Sequence, residues 1–320
     1  MKVGRATGLS HPGRKRRRNE DSWVCDPPIF AVADGMGGAK GGEIASRLAA
    51  SALGTPADGS GEERVVALVQ EANRRVFERS SEDASASGMG TTITLALVED
   101  GKVTFGHVGD SRAYLIRDHT IEQLTDDHSL VAELVRSGKL SPEEAEIHPQ
   151  RSVITRALGT DPDVDVDTFT VEPQVGDLFL ICSDGLTSMV ENDVIRDVVE
   201  RQRDNLDAAA RELVETANRS GGEDNITVVF FEIAEEDAEV PEETAQMPAL
   251  DANGEVDDED TLSGLEGIPT IDTMVVPPTE AQAVAEPRRK RSRWPTLLIV
   301  IVVVLVLLAG AAGLYWALYL

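Results

Sequence analysis

The 320-residue chain contains only two cysteines, Cys25 and Cys182, and both sit in apolar, strand-like surroundings. Two isolated thiols exclude a disulfide framework and argue against thiolate metal ligation. They read as reduced core residues of a cytosolic compartment. No N-terminal signal peptide is expected, because the basic run at 14–18 is not followed by an apolar segment. Lys and Arg are missing throughout 235–286, a stretch with 16 acids, and charge of either sign is missing from 297–320. The formal net charge of −27 argues against nucleic-acid binding by the chain as a whole. No solenoid-type repeat is present, and no nucleophile motif built on Cys or Ser is visible.

What is present divides the chain unevenly. Residues 1–234 have the length and apolar content of a full domain with its own core. Residues 235–286 are acidic and carry prolines at 241, 248, 269, 277 and 278. Such a segment buries too little apolar area to offset its ordering entropy, so a disordered linker is expected. Residues 287–296 are basic and juxtamembrane in character. The 24 uncharged positions of 297–320 follow. A helix of that length covers about 36 Å, enough for a ~30 Å hydrocarbon core with some tilt. Trp294, Tyr315, Trp316 and Tyr319 are placed as interface aromatics, and the basic run keeps the N-terminal side cytoplasmic. The expectation is a single-pass inner-membrane protein with its large domain in the cytoplasm.

Within 1–234 the periodicity alternates between strand and helix. Residues 3–9, 23–26 and 30–33 read as strands. Residues 40–53 and 62–79 read as amphipathic helices, with Val65, Val66, Leu68, Val69, Ala72, Val76 and Phe77 on one face of the second. A meander of hairpins covers 91–124, turning at Glu99-Asp100-Gly101 and Asp118-His119. Consecutive hairpins imply an antiparallel sheet and disfavour a doubly wound parallel fold. A helical excursion is expected over 128–147, with Ser141 as N-cap and Pro142 at the first helical position. Strands at 167–171, 177–182 and 226–233 and helices at 191–202 and 206–218 complete the domain.

Asp34, Asp184 and Asp224 each fall at a strand end beside glycine, and Glu20-Asp21 and Asp110 fall at similar breaks. One Asp-Gly pair is ordinarily just a turn. Hard oxygen ligands gathered at strand ends, without His or Cys, instead suit Mg²⁺ or Mn²⁺. Two such ions sharing a carboxylate could activate a water and stabilise both oxygens of an in-line displacement at phosphorus. A neighbouring Arg would fork onto the non-bridging phosphate oxygens. The cations Arg14 to Arg18 supply candidates.

Five ordered motifs now point to a family: Asn19-Glu20-Asp21, Ala33-Asp-Gly-Met-Gly-Gly38, Gly109-Asp-Ser-Arg-Ala113, Cys182-Ser-Asp-Gly185 and Gly222-Glu-Asp-Asn-Ile-Thr227. Over about residues 3–234 the chain resembles the bacterial type 2C metal-dependent Ser/Thr protein phosphatases. The resemblance implies an α+β fold, a central β-sandwich of two antiparallel sheets flanked by helices, with metals at one end. It implies Mn²⁺ or Mg²⁺ as two core ions and a third, weaker one. Asp34 would bridge the core ions, Gly35 would offer a carbonyl, and Asp184, Asp224, Glu20 and Asp21 would complete the set directly or through water. Asp110 would hold the third ion with Asp184 and a carbonyl near Ser152. Arg16 matches the phosphate clamp, although its four cationic neighbours compete for that role. Residues 124–159 resemble the family's flap beside the cleft.

Met36 stands where animal relatives carry a His often cast as general acid, so His107, His128 and His148 are weighed as proton donors against structural roles. The implied activity is hydrolysis of phosphoserine and phosphothreonine in proteins by a metal-activated water. The implied partners are phosphorylated proteins, among them a membrane Ser/Thr kinase, with no nucleic acid and a monomeric state. Thr261, Thr270 and Thr273 in the linker are weighed as phosphorylation sites against plain solvated threonines. The rival functions are a catalytically silent, membrane-tethered binding module and another two-metal phosphohydrolase such as a nuclease.

Overall fold

In chain order the strands and helices of the computed structural model are β1 (Lys2–His11), β2 (Ser22–Asp26), β3 (Ile29–Ala33), β4 (Gly35–Met36), α1 (Gly41–Ala52), α2 (Glu62–Glu82), β5 (Gly90–Thr91), β6 (Ile93–Glu99), β7 (Lys102–Val108), β8 (Arg112–Arg117) and β9 (Thr120–Gln123). They continue with α3 (Leu130–Arg136), α4 (Pro142–Glu146), β10 (Val153–Ile154), β11 (Asp167–Val171), β12 (Leu178–Cys182), α5 (Asp184–Thr187), α6 (Asn192–Arg201), α7 (Leu206–Arg219), β13 (Ile226–Ala234) and β14 (Met274–Val275). The structure describes residues 1–37, 41–82 and 88–236 together with the backbone of Met274–Val275. The expected basic segment, the expected membrane helix, the three linker threonines and most of the linker lie outside the described residues. Among the described residues no helix is long and apolar enough to cross a membrane.

Two five-stranded antiparallel sheets carry the fold, in the orders β1-β13-β12-β8-β9 and β11-β7-β6-β3-β2. The alternation of each strand sends one apolar set inward. Phe30, Val32, Phe105, Leu115, Phe179, Ile181, Val229 and Phe231 form the layer between the sheets. Five phenylalanines meet in that layer: Phe30–Phe231 (4.3 Å between centroids, stacked) and Phe105–Phe179 (5.8 Å, tilted) cross between the sheets, while Phe179–Phe231 (4.9 Å) and Phe105–Phe169 (5.0 Å) stack within a sheet. Each such pair adds roughly 0.5–1.5 kcal/mol beyond its area burial.

The outer faces are also apolar, because each is roofed by helices. α1 and α2 cover one sheet through Ala45, Ala49, Leu68, Val69 and Val76. α6 and α7 cover the other through Ile195, Val199, Leu213 and Val214. The result is the α-β-β-α layering that the family resemblance implies. On α2 the expected stripe is narrower than the periodicity suggests: Val66 and Phe77 sit on its half-buried flanks.

The turns follow their residues. The β6–β7 hairpin places Asp100 and Gly101 at φ +52° and +73°, and the β8–β9 turn places Asp118 and His119 at +48° and +61°. The excursion at 128–147 is two short helices. Ser141 caps α4 in a reciprocal box: its Oγ accepts the Glu144 N–H at 3.2 Å, and Glu144 Oε2 accepts the Ser141 N–H at 2.9 Å. β10 closes this excursion, and the backbone of β14 runs parallel beside it. Both cysteines are free and buried, as expected of core residues, and burial pushes each thiol up to about 12.

Candidate metal centre

Register gathers the acids. β2 starts where β3 ends, since Ser22 pairs with Ala33, so Asp21 and Asp34 flank the same sheet edge. β13 starts where β12 ends, since Cys182 pairs with Val228, which puts Asp184 and Asp224 side by side. Arg112 pairs with Cys182, so Asp110, just beyond the end of β7, arrives at the same end of the sandwich.

Asp21 and the Asp34 backbone are held by polar partners from distant parts of the chain, and Asp224 by its neighbour. Asp21 Oδ2 accepts the hydroxyls of Ser183 at 2.9 Å and Thr227 at 2.5 Å. The Asp34 N–H donates to Thr92 Oγ1 at 3.0 Å, while its carbonyl accepts from Thr92 N–H at 2.9 Å and Thr91 Oγ1 at 2.8 Å. Asp224 Oδ1 accepts the Asn225 N–H at 2.8 Å. Asn225 in turn accepts the Glu20 N–H at 2.7 Å and donates to the carbonyls of Pro12 at 3.0 Å and Arg18 at 2.9 Å. The glycines permit this crowding: a Cβ on Gly35 would lie 2.1 Å from the Gly42 carbonyl oxygen, and one on Gly185 would lie 2.0 Å from that of Asn225.

The electrostatics record the convergence. Burial, then the charges of Asp21, Asp184, Asp224 and Asp110, holds the Asp34 carboxyl well above the usual carboxylate range. Burial, then Asp184, does the same for Asp110. Burial raises Asp21 to about 7 and, with Asp224 behind it, Asp184 to about 6. Burial also raises Glu20.

Three buried acceptors, Asp21 Oδ1, Asp110 Oδ1 and Asp184 Oδ1, have no hydrogen-bond partner. Unpaired buried carboxylate oxygens are costly. Hard oxygen donors of this kind fit Mg²⁺ or Mn²⁺ by their chemistry. Among the described residues no three acid, imidazole or thiol groups already surround a single point closely enough to hold an ion. The donor set therefore fits a cation in kind and location, and the side chains must close in to grip one.

The basic loop joins the pocket from the side. Gly222 O accepts the N–H groups of Arg14 at 2.7 Å and Lys15 at 3.1 Å. Arg14, Lys15, Arg17 and Arg18 are exposed, whereas Arg16 is half-buried with Nη2 2.8 Å from Asp224 Oδ2. Of the five cations, the geometry thus selects Arg16. Asp110, Asp184 and Ser152 line a groove of about 710 Å³ between α5 and the flap helices, together with Arg112, Arg136 and Arg151. Gly35 sits directly after Asp34 in β4, paired with Thr91.

The histidines weighed as proton donors divide differently. His107 and His128 are 1% and 2% exposed and stack on each other at 4.8 Å, so they belong to the interior. Burial lowers His107 to about 3. His148 lies on the flap, where its Nδ1 accepts the Gln150 N–H at 3.2 Å. The residues that hold the acids, Thr91, Thr92, Ser183, Asn225 and Thr227, escape a sequence reading. The adjacent glycine motifs were their only signal.

Residues 8–219 match the family model described as protein phosphatase 2C. The chain is 41% identical over 233 residues to the serine/threonine phosphatase stp of Listeria monocytogenes, covering 69% of this chain and 92% of that one. Among solved structures it is similar to the serine/threonine phosphatase PstP/Ppp of Mycobacterium tuberculosis, with 37% identity and a TM-score of 0.69 over 73% of this chain and all of that one. It is also similar to a PstP catalytic domain in complex with two manganese ions, at 34% identity and a TM-score of 0.67, over 73% of this chain and all of that one.

Proposed function

The chain belongs to the protein phosphatase 2C family and is a serine/threonine protein phosphatase, and from that premise we propose that the acid pocket holds Mn²⁺ or Mg²⁺ and is the site of phosphoserine and phosphothreonine hydrolysis. The observation that carries this reading is the meeting of Asp21, Asp34, Asp110, Asp184 and Asp224 at one end of the sandwich, with three of their buried oxygens unpartnered. A relative with two manganese ions in its catalytic domain supports the choice of ion.

When bound, the cations supply an activated water and neutralise charge developing on the transferred phosphoryl group. Asp34, the Gly35 carbonyl, Asp184 and Asp224 would hold the two core ions, with Glu20 and Asp21 contributing directly or through water. Asp110, with Asp184 and the backbone at Ser152, forms a further acidic corner suited to a third, weaker ion. Arg16, held at the rim by Asp224, presents a guanidinium fork to the non-bridging phosphate oxygens. His107 and His128 take no part in moving the proton to the leaving alcohol, because they are closed off from the pocket.

The membrane part of the proposal rests on the sequence. The 24 uncharged residues 297–320 behind a basic run anchor the enzyme, and the acidic tether raises the effective concentration of the catalytic domain at the cytoplasmic face, where it opposes a membrane Ser/Thr kinase. Retention of the full chain, and release of a chain ending at 286, in alkaline membrane extraction tests the anchor; equal partitioning of the two ends it.

The catalytic proposal is tested with the full chain in detergent and a phosphothreonine peptide. Phosphate release should require Mn²⁺ or Mg²⁺ and stop in excess chelator. Asp34→Asn should lower kcat/KM by two orders of magnitude or more, since it removes a charge placed among the ions. Undiminished turnover in chelator, or a variant within tenfold of wild type, overturns the mechanism.

A further inference from the structure

His128 lies outside the acid pocket, yet it grips the peptide unit that carries Asp110. The Gly109 N–H donates to His128 Nδ1 at 3.0 Å, and the Gly109 carbonyl accepts the His128 N–H at 2.7 Å. Gly109 has φ +118°, and a Cβ there would lie 2.5 Å from the Thr92 side chain, so the backbone immediately before Asp110 has one arrangement.

The other side of the ring faces the flap. His128 Nε2 is 3.0 Å from Asp167 Oδ2, and Arg156 Nη1 is 2.5 Å from Asp167 Oδ1. Nδ1 accepts the hydrogen bond of the Gly109 N–H, so the ring proton is on Nε2, which donates its hydrogen bond to Asp167. Arg156 Nη1 also lies 3.0 Å from Nε2; both are donors, so its bond is the one to the carboxylate. The His128 carbonyl accepts the N–H of Thr155, where the flap returns to the sandwich. His128, 2% exposed, thus ties three pieces together: its ring joins the Asp110 loop to β11, and its backbone carbonyl holds the flap's return.

We propose that His128 is a positioning residue: its ring fixes the Gly109 backbone so that the unpartnered Asp110 Oδ1 stays beside Asp184, and so sets cation affinity at that corner while coupling it to the base of the flap. This rests on the reading of the pocket as a cation site. A histidine that only filled space would need neither a defined tautomer nor the bond from the Gly109 N–H to its ring.

Two substitutions divide the ring's functions. His128→Asn leaves an amide oxygen near the position of Nδ1 and keeps an acceptor for Gly109. His128→Gln leaves an amide near the position of Nε2, which keeps the donor to Asp167 and strands the Gly109 N–H. Mn²⁺ binding to the full chain in detergent is measured by calorimetry for both, with Asp110→Asn identifying the class of ion that Asp110 holds.

The expected result is that His128→Gln weakens that class at least tenfold and leaves the other sites within threefold, while His128→Asn keeps the class within threefold of wild type. In wild-type protein with labelled histidine, NMR should find the ring in the Nε2–H form. Equal effects of the two variants, no effect of His128→Gln, or an Nδ1–H ring overturns the proposal. A Gln variant that does not fold leaves the tautomer and the Asn variant to decide it. Wild type that binds no Mn²⁺ fells the cation-site reading itself, whereas wild-type binding with no class lost in Asp110→Asn fells the positioning role alone.

Discussion

Asn225 is the residue whose loss best separates the support of the site from its chemistry. It is 4% exposed and bears no charge, yet it joins the loop carrying Arg16, the Glu20-Asp21 pair and the start of β13 through three hydrogen bonds of 2.7–3.0 Å. Truncation to Ala removes all three, each contributing about 1 kcal/mol net. Pro12 and Arg18 are exposed, so water can replace the bonds to their carbonyls, whereas the Glu20 N–H is half-buried and is left without its acceptor. The balance is a loss of about 2–3 kcal/mol, or roughly 5–10 °C in melting temperature for a domain of this size. Release of the loop also lets Arg16 and Glu20 drift, and displacements near 1 Å cost catalysis up to about a hundredfold. Asn225→Ala should therefore lower kcat/KM at least tenfold, mainly through KM. Asn225→Asp keeps the acceptor for Glu20, but it sets a carboxylate against two carbonyls and adds charge to the acid cluster. It should melt below the Ala variant in chelator and recover more of the difference in Mn²⁺. Thermal melts with and without metal, beside phosphopeptide turnover, check both. An Ala variant that melts within 2 °C of wild type with kcat/KM within twofold would refute the reasoning.

Three further outcomes follow from the same pocket. Asp21 titrates at about 7 and Asp184 at about 6 when folded, against about 4 for free carboxyls, so the folded state holds extra protons in between. Stability from these groups is complete below about pH 4 and is lost as pH rises through 6 and 7. The metal-free protein should thus melt higher at pH 5 than at pH 8 by scanning calorimetry, and a flat or reversed profile would contradict the crowding of charge. Asp34→Asn relieves that crowding and should raise the metal-free melting temperature at pH 8 while it lowers turnover; a fall in both would show that Asp34 is a structural group. Gly185→Ala forces a Cβ to within 2.0 Å of the Asn225 carbonyl oxygen, a backbone atom that cannot step aside. It should abolish detectable turnover and lower the melting temperature, and wild-type activity would show that the two loops are looser than described.

The elements that sequence made legible are those whose causes are local. Alternation marked the strands, the 3.6-residue stripe marked α2, and Ser141-Pro-Glu-Glu144 marked the N-cap and first turn of α4. Asp34, Asp184 and Asp224 were legible because each breaks a strand beside glycine, and Glu20-Asp21 and Asp110 because they fall at similar breaks. The staples were not, because their partners are remote. Ser183 is 162 residues from the Asp21 it holds, and Asn225 is 205 from Glu20. A lone Thr, Ser or Asn carries no mark of such a bond in its neighbours. Arg16 was singled out among five cations by the family resemblance alone, since the Gly222 carbonyl that pins Arg14 and Lys15 lies more than 200 residues away in the chain.

This division has a physical basis. A cluster of like-charged, partly desolvated carboxyls repels itself and cannot be its own scaffold. Its placement must come from groups without charge, bonded to backbone and anchored in the stacked aromatic core beneath. The acids tell what the pocket binds, and the hydroxyls, amides and imidazole around them determine whether those acids stay close enough together to bind it.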